Sequence, residues 1–508
     1  MKKKLLSTFA LACDRSGISD RTAARVSSAI LEDLGMITVE DTSSVIDKSK
    51  VRRHRSKIRK ELQNKASSVT ETNPVAIFFD GRKDATLSQI SKGTKKSKTT
   101  VIEEHVSVLK EPGSSYLGHL TPKSGSAHDI SVSILELLQE KNLEDNVFSI
   151  GCDGTRVNTG AKGGVIALLE QSLYKPLQWN ICLLHGNELP LRHLITNIDG
   201  PTMGPRSFSG PIGKLLPNCE KMTLASYEPI ISENIPKGDY MNDLSCDQKY
   251  LLNIFEAVKS GHCDDDLSYK APGNISHARW LTTANRILRL YVSTVHPSDQ
   301  LLKLVKFIMQ VYIPSWFQIK RCNSIINGPK NMHSMILRCQ GQEEDVKNII
   351  KPVIQRNAYF LHSENILLCM VHDEDNTMKE LGWRKILKSR QNKQRIAVRS
   401  FKIPDINFEA ENYHGLIDWN QDFTSPPLFH HIESSAIEKF VLTKQFPSAS
   451  PGITEIPNHT QAVERHIKIV TDVSTKVCGS DRRDGAILAI LESRKKMPQF
   501  ENKKQYKI

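Results

Sequence analysis

Apolar residues recur along the chain at two different periods, and the change of period marks its organisation. Near the start, apolar positions three or four residues apart predict helices over 5–13 and 20–34, joined by a turn at Gly17. Between residues 75 and 183, short apolar and β-branched runs predict strands. From about residue 200 the helical period returns in long segments. We therefore expect a sheet-containing segment between two helical ones.

The sheet-containing segment has a definite order of elements. Strands are predicted at 75–79, 100–109, 115–120, 148–152 and 177–183. Helices are predicted at 128–139, 165–173 and 190–198. The order β-β-β-α-β-α-β-α is that of the ribonuclease-H-like fold, an α/β fold with a mixed five-stranded sheet in which strands one and four lie side by side.

The helical periods after residue 200 form a large all-α insertion before a last predicted helix at 460–478. Among them, 301–317 carries an apolar stripe, and 346–370 is expected to break at Pro352. The predicted domains are a helical, basic N-terminal region (1–70), the first part of the ribonuclease-H-like core (74–199), the insertion (200–457), the last core helix (458–492) and a basic tail (493–508).

Two carboxylates follow predicted strands whose ends would be neighbours. Asp80 follows strand one in the run FFDG, and Asp153 follows strand four before a Gly- and Asn-rich turn. Carboxylates brought together repel each other unless a cation lies between them, so the pair indicates a divalent metal site. Phosphodiester chemistry at such a site needs a third carboxylate, for which Glu464 in the last helix is the candidate. Asp84 is the strongest rival to Asp80.

Five short blocks of sequence, in this order and spacing, resemble the transposases of the hAT superfamily, part of the wider DDE group. The blocks are FFDG at 78–81, IGCDGT at 150–155 with Asn158 after it, Cys182-Leu-Leu-His185, Arg279-Trp280 followed by small polar residues, and Glu464-Arg465. The resemblance covers about residues 75–478. It implies a ribonuclease-H-like fold interrupted by a helical insertion before the last catalytic helix.

The resemblance also implies an activity and roles for the matching residues. Asp80, Asp153 and Glu464 would hold two Mg²⁺ or Mn²⁺ ions, with DNA strand cleavage and strand transfer as the reaction. His185 would lie near the metals or a phosphate. Trp280 would stack on a flipped base, and Arg279 would contact phosphate. Ordinary alternatives are that Trp280 is part of the core of the insertion and that Glu464 pairs with Lys468 on the helix surface.

Departures from the family pattern keep two other functions open. No Cys/His set precedes Val75, Gly154-Thr155 replaces the commoner Asn-Ala, and residues 458–461 replace the usual run of small residues. A catalytically inactive, transposon-derived module that binds DNA or protein is therefore the main alternative. A ribonuclease-H-like nuclease acting on RNA or a hybrid is the other, although the insertion and Arg279-Trp280 count against it.

The positive charge of the chain predicts a polyanionic partner. The 508-residue chain has a net charge of +13, and the run KSKVRRHRSKIRK at 48–60 is dense in basic residues. Arg52, Arg53 and Arg55 in that run suit DNA phosphates or nuclear import, or form a solvated helix face. The two helices before it also suit a helix-turn-helix DNA reader or plain helical packing.

The cysteine pattern and the hydropathy of the chain favour an intracellular protein that does not span a membrane. The ten cysteines form no CxxC pair, and no apolar run reaches the length of a membrane span. We therefore expect an intracellular, nuclear protein with DNA as its partner and no membrane association. A homo-oligomer is left open.

Overall fold

The chain forms two compact units that alternate along the sequence. The computed structural model describes residues 6–67, 75–92, 95–202, 208–273, 279–391, 401–447, 451–467 and 480–496. The first unit comprises 1–73, 78–146 and 461–508, and the second comprises 74–77 and 147–460. The second unit is thus inserted into the first. The boundaries fall after residues 146 and 460, and the five-part domain division drawn from the sequence stays a prediction.

The protein is a mixed α/β protein with one five-stranded sheet. The strands are β1 (Val75–Lys92), β2 (Lys95–Glu111), β3 (Ser115–Leu120), β4 (Val147–Cys152) and β5 (Gln178–Ile181), in the spatial order β3-β2-β1-β4-β5. β2 pairs antiparallel with β3, with Val106 opposite Leu120. β4 pairs parallel with β5, with Cys152 opposite Ile181. The sheet is therefore mixed, as expected.

Strand β1 is much longer than its sequence pattern predicts. The Asp80-Gly81 pair was expected to end the strand, but β1 continues to Lys92 and β2 begins at Lys95. A Cβ atom placed on Gly81 would lie 3.3 Å from the carbonyl oxygen of His105 in β2. The neighbouring strand therefore carries the ladder past the local turn signal, because cross-strand pairing outweighs local propensity.

The first unit contains a helical subset built around three N-terminal helices. They are α1 (Ser7–Arg15), α2 (Asp20–Asp33) and α3 (Lys48–Ser67). The Ser19 side chain accepts a hydrogen bond from the Thr22 amide and so begins α2. Asp14 is buried, and its carboxylate binds Arg55 at 2.5 Å and Arg59 at 2.6 Å. These buried ion pairs fasten α3 to α1.

The same unit ends with two short pieces from the far end of the chain. Among its described residues, the other helices are α4 (Ala127–Glu140), α20 (Ala462–Ile467) and α21 (Ser480–Lys496). Helix α20 packs on β2, and α21 packs on α1 and α3. Ala489 of α21 belongs to an apolar cluster with Ala10, Leu11 and Ile58. The chain after residue 460 thus returns to the unit that its first residues build.

The second unit is mainly helical. Its helices are α5 (Arg156–Thr159), α6 (Val165–Leu173), α7 (Leu183–Asp199), α8 (Pro211–Leu215), α9 (Cys246–Ser260), α10 (Asp265–Tyr269), α11 (Arg279–Tyr291), α12 (Asp299–Phe307), α13 (Ile313–Arg321), α14 (Gly328–Gln340), α15 (Glu344–Asn357), α16 (Ser363–Val371), α17 (Asn376–Gln391), α18 (Ser434–Thr443) and α19 (Pro451–Thr454). A π-helical turn, Ile308–Tyr312, joins α12 to α13. Short 3₁₀ turns lie at Leu216–Lys221, Asp239–Asp243, Ile325–Asn327, Tyr359–Leu361, Tyr413–Leu416 and Pro427–Phe429.

Two prolines lie inside helices that they were expected to limit. Helix α7 begins at Leu183 and contains Pro190, whereas the sequence predicts that it begins at Pro190. Helix α15 runs through Pro352 without a break. Helices α7 and α15 pack against each other. We infer that this tertiary packing offsets the loss of one helical hydrogen bond at each proline.

A short segment just before the chain leaves the second unit is fastened next to β5. The Asn180 side-chain amide donates to the Pro457 carbonyl at 2.7 Å, and the Leu183 amide donates to the Asn458 carbonyl at 3.1 Å. The Ile325 amide donates to the Ile456 carbonyl at 2.8 Å. Asn458 is fully buried. We call residues 456–459 the exit segment.

In the described parts of the chain, no helix combines the length and apolar character needed to cross a bilayer.

The first unit contains a pair of facing histidines, one on β2 and one on β3. His105 is fully buried, and its Nδ1 lies 3.0 Å from Nε2 of His119, so one of these two nitrogens carries the shared hydrogen. Nearby, Tyr116 donates to the carboxylate of Asp484 at 2.8 Å. Burial, with Arg483 and His105 as weaker causes, lowers the pKa of His119 to about 3.

Acid is therefore expected to destabilise the protein through His119. An unfolded histidine titrates near pH 6.5, roughly, so the unfolded chain binds the proton first. The stability contributed by the neutral ring is complete above that pH and is lost as the pH falls towards about 3. The free energy of unfolding, measured in urea, should fall as the pH is lowered from roughly 6.5 to 4. This fall should be steeper in the wild type than in His119→Gln, by up to about 1.4 kcal/mol per pH unit. The exposed His128, changed to Gln, is the control and should keep the wild-type slope; equal slopes for wild type and His119→Gln would contradict the assignment.

Candidate functional site

Asp153 lies at the carboxyl end of β4, immediately after the buried Cys152. Its carboxylate oxygen Oδ1 accepts hydrogen bonds from the Thr155 amide at 3.2 Å, the Thr155 hydroxyl at 2.8 Å and the Asn158 side-chain amide at 2.7 Å. These donors are close in sequence and arise because the chain turns into the four-residue helix α5 directly after the strand. The turn therefore fixes the orientation of one carboxylate oxygen.

The other oxygen of Asp153, Oδ2, differs from Oδ1 in its partners. Within the described chain, Oδ2 accepts no hydrogen bond, and the residue is only half-buried. A carboxylate with one oxygen held by donors and the other open is suited to bind a divalent cation through a single oxygen. The metal-ligand role expected for Asp153 stays a prediction.

A Gly-rich loop follows α5 and leads into α6. The Gly164 amide donates to the Gly160 carbonyl at 2.8 Å. A Cβ atom on Gly164 would lie 2.3 Å from the Gly160 amide nitrogen, closer than real Cβ contacts come. Gly163 is exposed and has open space around the same position. The loop closes on itself at Gly164, and this close approach is possible because glycine has no Cβ atom.

His185 lies beside Gly154, in the turn that follows Asp153. The Cys182 amide donates to the Cys152 carbonyl at 2.8 Å, which aligns the ends of β5 and β4. His185 follows in the first turn of α7, and a Cβ atom on Gly154 would lie 3.2 Å from its ring carbon Cδ2. An imidazole and a carboxylate thus share one edge of the second unit. The contact of His185 with phosphate stays a prediction.

Tyr359 is a neighbour of the turn that sequence reasoning missed. Its hydroxyl donates to the Thr159 hydroxyl at 2.8 Å, and the Thr159 hydroxyl donates to the Thr155 carbonyl at 2.9 Å. Burial raises the pKa of Tyr359; the hydrogen bond to Thr159 lowers it, while Cys152 and Asp153 raise it further. Tyr359 lies two hundred residues from Thr159 in a short 3₁₀ turn, where no sequence motif indicates a site.

The other two members of the expected triad are in the first unit. Asp80 is half-buried on β1, and its Oδ1 accepts a hydrogen bond from the Gly81 amide at 2.8 Å. Its rival Asp84 forms an ion pair with Arg82. The backbone of Glu464 lies in α20, but its side chain lies outside the described residues.

No group of three or more His, Cys, Asp or Glu side chains suited to a metal is found in the described part, which lacks the Glu464 side chain. The triad of Asp80, Asp153 and Glu464 therefore stays a prediction.

Arg279 and Trp280, the two residues of the insertion predicted to contact DNA, lie in the first turn of α11. Trp280 is 5% exposed, and its indole packs edge-to-face on Phe208 with 6.5 Å between ring centroids. Stacking on a base would require this ring to be uncovered first. The Arg279 backbone belongs to α11, and its side chain lies outside the described residues.

The basic face of α3 has two kinds of arginine. Arg55 is 14% exposed in its side chain and binds both Asp14 and Asp20, so its charge already holds the helices together. Arg53 is exposed, and the Arg52 side chain is 75% exposed with a 3.3 Å ion pair to Asp20. Arg52 and Arg53 are therefore the two of the three predicted phosphate contacts that face solvent.

No protein-family model matches this chain, and no curated protein matches it. The function of the protein is therefore inferred from its residues and their geometry.

The closed loop at Gly164 predicts a large difference between two adjacent glycines. Gly164→Ala forces a Cβ atom against the Gly160 backbone, so the free energy of unfolding should fall by about 1–3 kcal/mol, the usual cost of overpacking. Gly163→Ala is the matched control and should change stability by less than about 0.5 kcal/mol. Urea unfolding of the two variants checks this; equal stabilities would contradict the close approach.

Proposed function

We propose that the protein is a transposase-like DNA-processing enzyme of the hAT type that cleaves and joins DNA strands with two Mg²⁺ or Mn²⁺ ions. Asp80, Asp153 and Glu464 are the proposed metal ligands and catalytic carboxylates. The observation that carries the proposal is the Asp153 carboxylate, which is held at a strand end with one oxygen open and with His185 beside it.

The course of the chain around this strand end supports the proposal. The Leu183 amide, one residue after the Cys182 amide that binds Cys152, donates to Asn458 in the exit segment. Glu464 follows Asn458 by six residues. A fully extended segment of six residues spans at most about 20 Å. The strand order β3-β2-β1-β4-β5 is also that of a ribonuclease-H-like sheet. Both features are expected if Glu464 serves the same site as Asp153.

The proposed reaction is an attack on a phosphodiester. The oxygen of water, or of a DNA 3′-hydroxyl, forms a bond to phosphorus while the bond to the leaving 3′-oxygen breaks. The nucleophile loses its proton, and the leaving oxygen gains one. Bound divalent ions would lower the pKa of the nucleophile and neutralise charge on the leaving oxygen. The chain would hold the carboxylates in place, with the Thr155 and Asn158 donors orienting Asp153 and His185 donating to a phosphate oxygen.

DNA is the proposed substrate because of the charge of the chain and the basic face of α3. The net charge is +13, and Arg52 and Arg53 direct cationic side chains to solvent. Neutralising phosphates releases counterions, which favours binding of any DNA sequence. Because the proposed substrate is DNA, we also propose that the protein is located in the nucleus.

A catalytically inactive DNA- or protein-binding module is the second candidate. The Gly154-Thr155 pair after Asp153, in place of the commoner Asn-Ala, favours it. Such a module would keep the fold and the basic helix face but would bind DNA without cutting it.

Replacing Asp153 by Asn is the direct test of catalysis. It removes the charge that a metal requires but keeps the shape and most of the hydrogen bonds of the side chain. We expect Mg²⁺-dependent nicking of a supercoiled plasmid to fall at least about 100-fold, since ligand loss should exceed the cost of losing an outer partner. The exposed Asp422, changed to Asn, is the matched control and should leave nicking unchanged.

Two other outcomes separate the candidates. Nicking that survives unchanged in Asp153→Asn would refute the proposed site. Tight DNA binding by wild type without any Mg²⁺- or Mn²⁺-dependent nicking would favour the inactive module.

The basic face of α3 predicts a specific salt dependence of DNA binding. The double variant Arg52→Ala/Arg53→Ala removes up to two phosphate contacts, so the slope of log K against log salt should become shallower by up to about 1.8. Fluorescence anisotropy with a labelled 20-base-pair duplex, roughly two helical turns, measures this. Lys237→Ala/Lys439→Ala removes two exposed charges of the second unit and is the control. An unchanged slope in the α3 variant would place the phosphate contacts elsewhere.

A further inference from the structure

We propose that Tyr359 is the positioning residue of the Asp153 site, so that the helical part of the second unit controls how the catalytic carboxylate is presented. The inference rests on the proposed function for its effect on catalysis. Its structural content is independent: Tyr359 holds the turn that orients Asp153.

Two sets of hydrogen bonds that meet at residue Thr155 join Tyr359 to Asp153. The Tyr359 hydroxyl donates to the Thr159 hydroxyl at 2.8 Å, which donates to the Thr155 carbonyl at 2.9 Å. Thr155 in turn donates from both its amide and its hydroxyl to Oδ1 of Asp153. The Tyr359 and Thr159 hydroxyls donate one after the other, and two hydrogen bonds aligned in this way polarise and strengthen each other.

The turn needs an outside support because it is too short to be stable alone. Helix α5 has four residues, and Thr155, Arg156 and Val157 are exposed. Isolated helical turns of this length do not persist in water, since nucleation costs more than one hydrogen bond returns. Thr159 is the buried residue of this helix, at 8% exposure, and it is the residue that Tyr359 binds.

Tyr359 itself is held rigidly. Its ring stacks at 6.4 Å from both Trp179 and Phe401, and Trp179 stacks on Phe401 at 4.1 Å with 4° between the ring planes. Trp179 belongs to β5, and its indole nitrogen donates to Glu170 at 3.2 Å. The Tyr359 carbonyl accepts from the Asn365 side-chain amide at 3.0 Å. The hydroxyl is therefore fixed relative to the strand ends.

The role is positioning, not proton transfer. The hydroxyl is occupied as a donor to Thr159, and burial raises its pKa, so it stays protonated and keeps donating. Asp153 can keep its own hydrogen bonds without Tyr359, but the segment that supplies them would then move more freely.

Hydrogen exchange of the Asp153 turn tests the inference without any activity. Tyr359→Phe keeps the stacked ring and removes only the hydroxyl. We expect amides in peptides covering residues 153–164 to exchange about 3- to 10-fold faster, as loss of one hydrogen bond predicts. Tyr227→Phe is the matched control, because its hydroxyl donates to the Ala257 carbonyl at 2.9 Å in the same unit. Equal exchange in the two variants would overturn the inference.

The partner hydroxyl gives a second, independent pair of variants. Thr159→Val should speed exchange of the same peptides as Tyr359→Phe does, and the double variant should add little to either. Thr159→Ser keeps the hydroxyl and should restore slow exchange. If Thr159→Ser exchanges as fast as Thr159→Val, the hydroxyl of Thr159 does not slow the exchange of the turn. That result would also overturn the inference.

Catalysis separates this inference from the proposed function. If the enzyme nicks DNA, Tyr359→Phe should lower kcat by about 3- to 10-fold, leave KM for DNA unchanged and raise the Mn²⁺ concentration for half-maximal activity. A raised KM with unchanged kcat would assign Tyr359 to DNA binding and contradict the positioning role. If wild type shows no metal-dependent nicking, the proposed function fails, and the exchange result alone decides the role of Tyr359.

Discussion

The parallel pairing of β4 with β5 is the constraint on which the candidate site depends. The Cys182 amide binds the Cys152 carbonyl at the very end of this pair, so the two chains leave the sheet side by side. The next residue after Cys152 is Asp153, and His185 follows Cys182 by three positions. One backbone hydrogen bond therefore brings together an acid and an imidazole that are thirty-two residues apart, and the Leu183 amide brings the exit segment to the same place.

The Asp153 carboxylate shows how such a site is kept usable. Three donors on one oxygen offset the cost of holding a charged group next to a buried strand. Among the described residues, the other oxygen, Oδ2, accepts no hydrogen bond. The support for this arrangement comes from Tyr359, in the connection between α15 and α16, and from a close glycine contact at Gly164. The site is thus built by elements on both sides of its strand, and most of them are far away in sequence.

Polar residues inside the second unit fix the path of the chain. Asn180 and Asn458 are both fully buried, and each uses its side-chain amide to hold a backbone carbonyl. Buried amides are costly unless paired, so they specify one route for the exit segment where apolar residues would accept several. In the first unit, buried Asp14 has the same effect on α1 and α3 through Arg55 and Arg59. A basic run that suggests a nucleic-acid surface is thus partly used for packing.

The sequence alone determined the elements that carry strong local signals. Helix α6 has its predicted bounds, α4 extends one residue beyond its predicted bounds at each end, and β4 begins one residue earlier than predicted, because the apolar patterns of these elements are strong local signals. The location of Asp153 directly after strand β4 also followed from local pattern. Tertiary structure alone decided the length of β1, where pairing outweighs the Asp80-Gly81 turn signal, and the start of α7 before Pro190. It also decided the roles of Arg55 and Tyr359, since each depends on a partner distant in sequence, and distant partners leave no periodic trace in the chain.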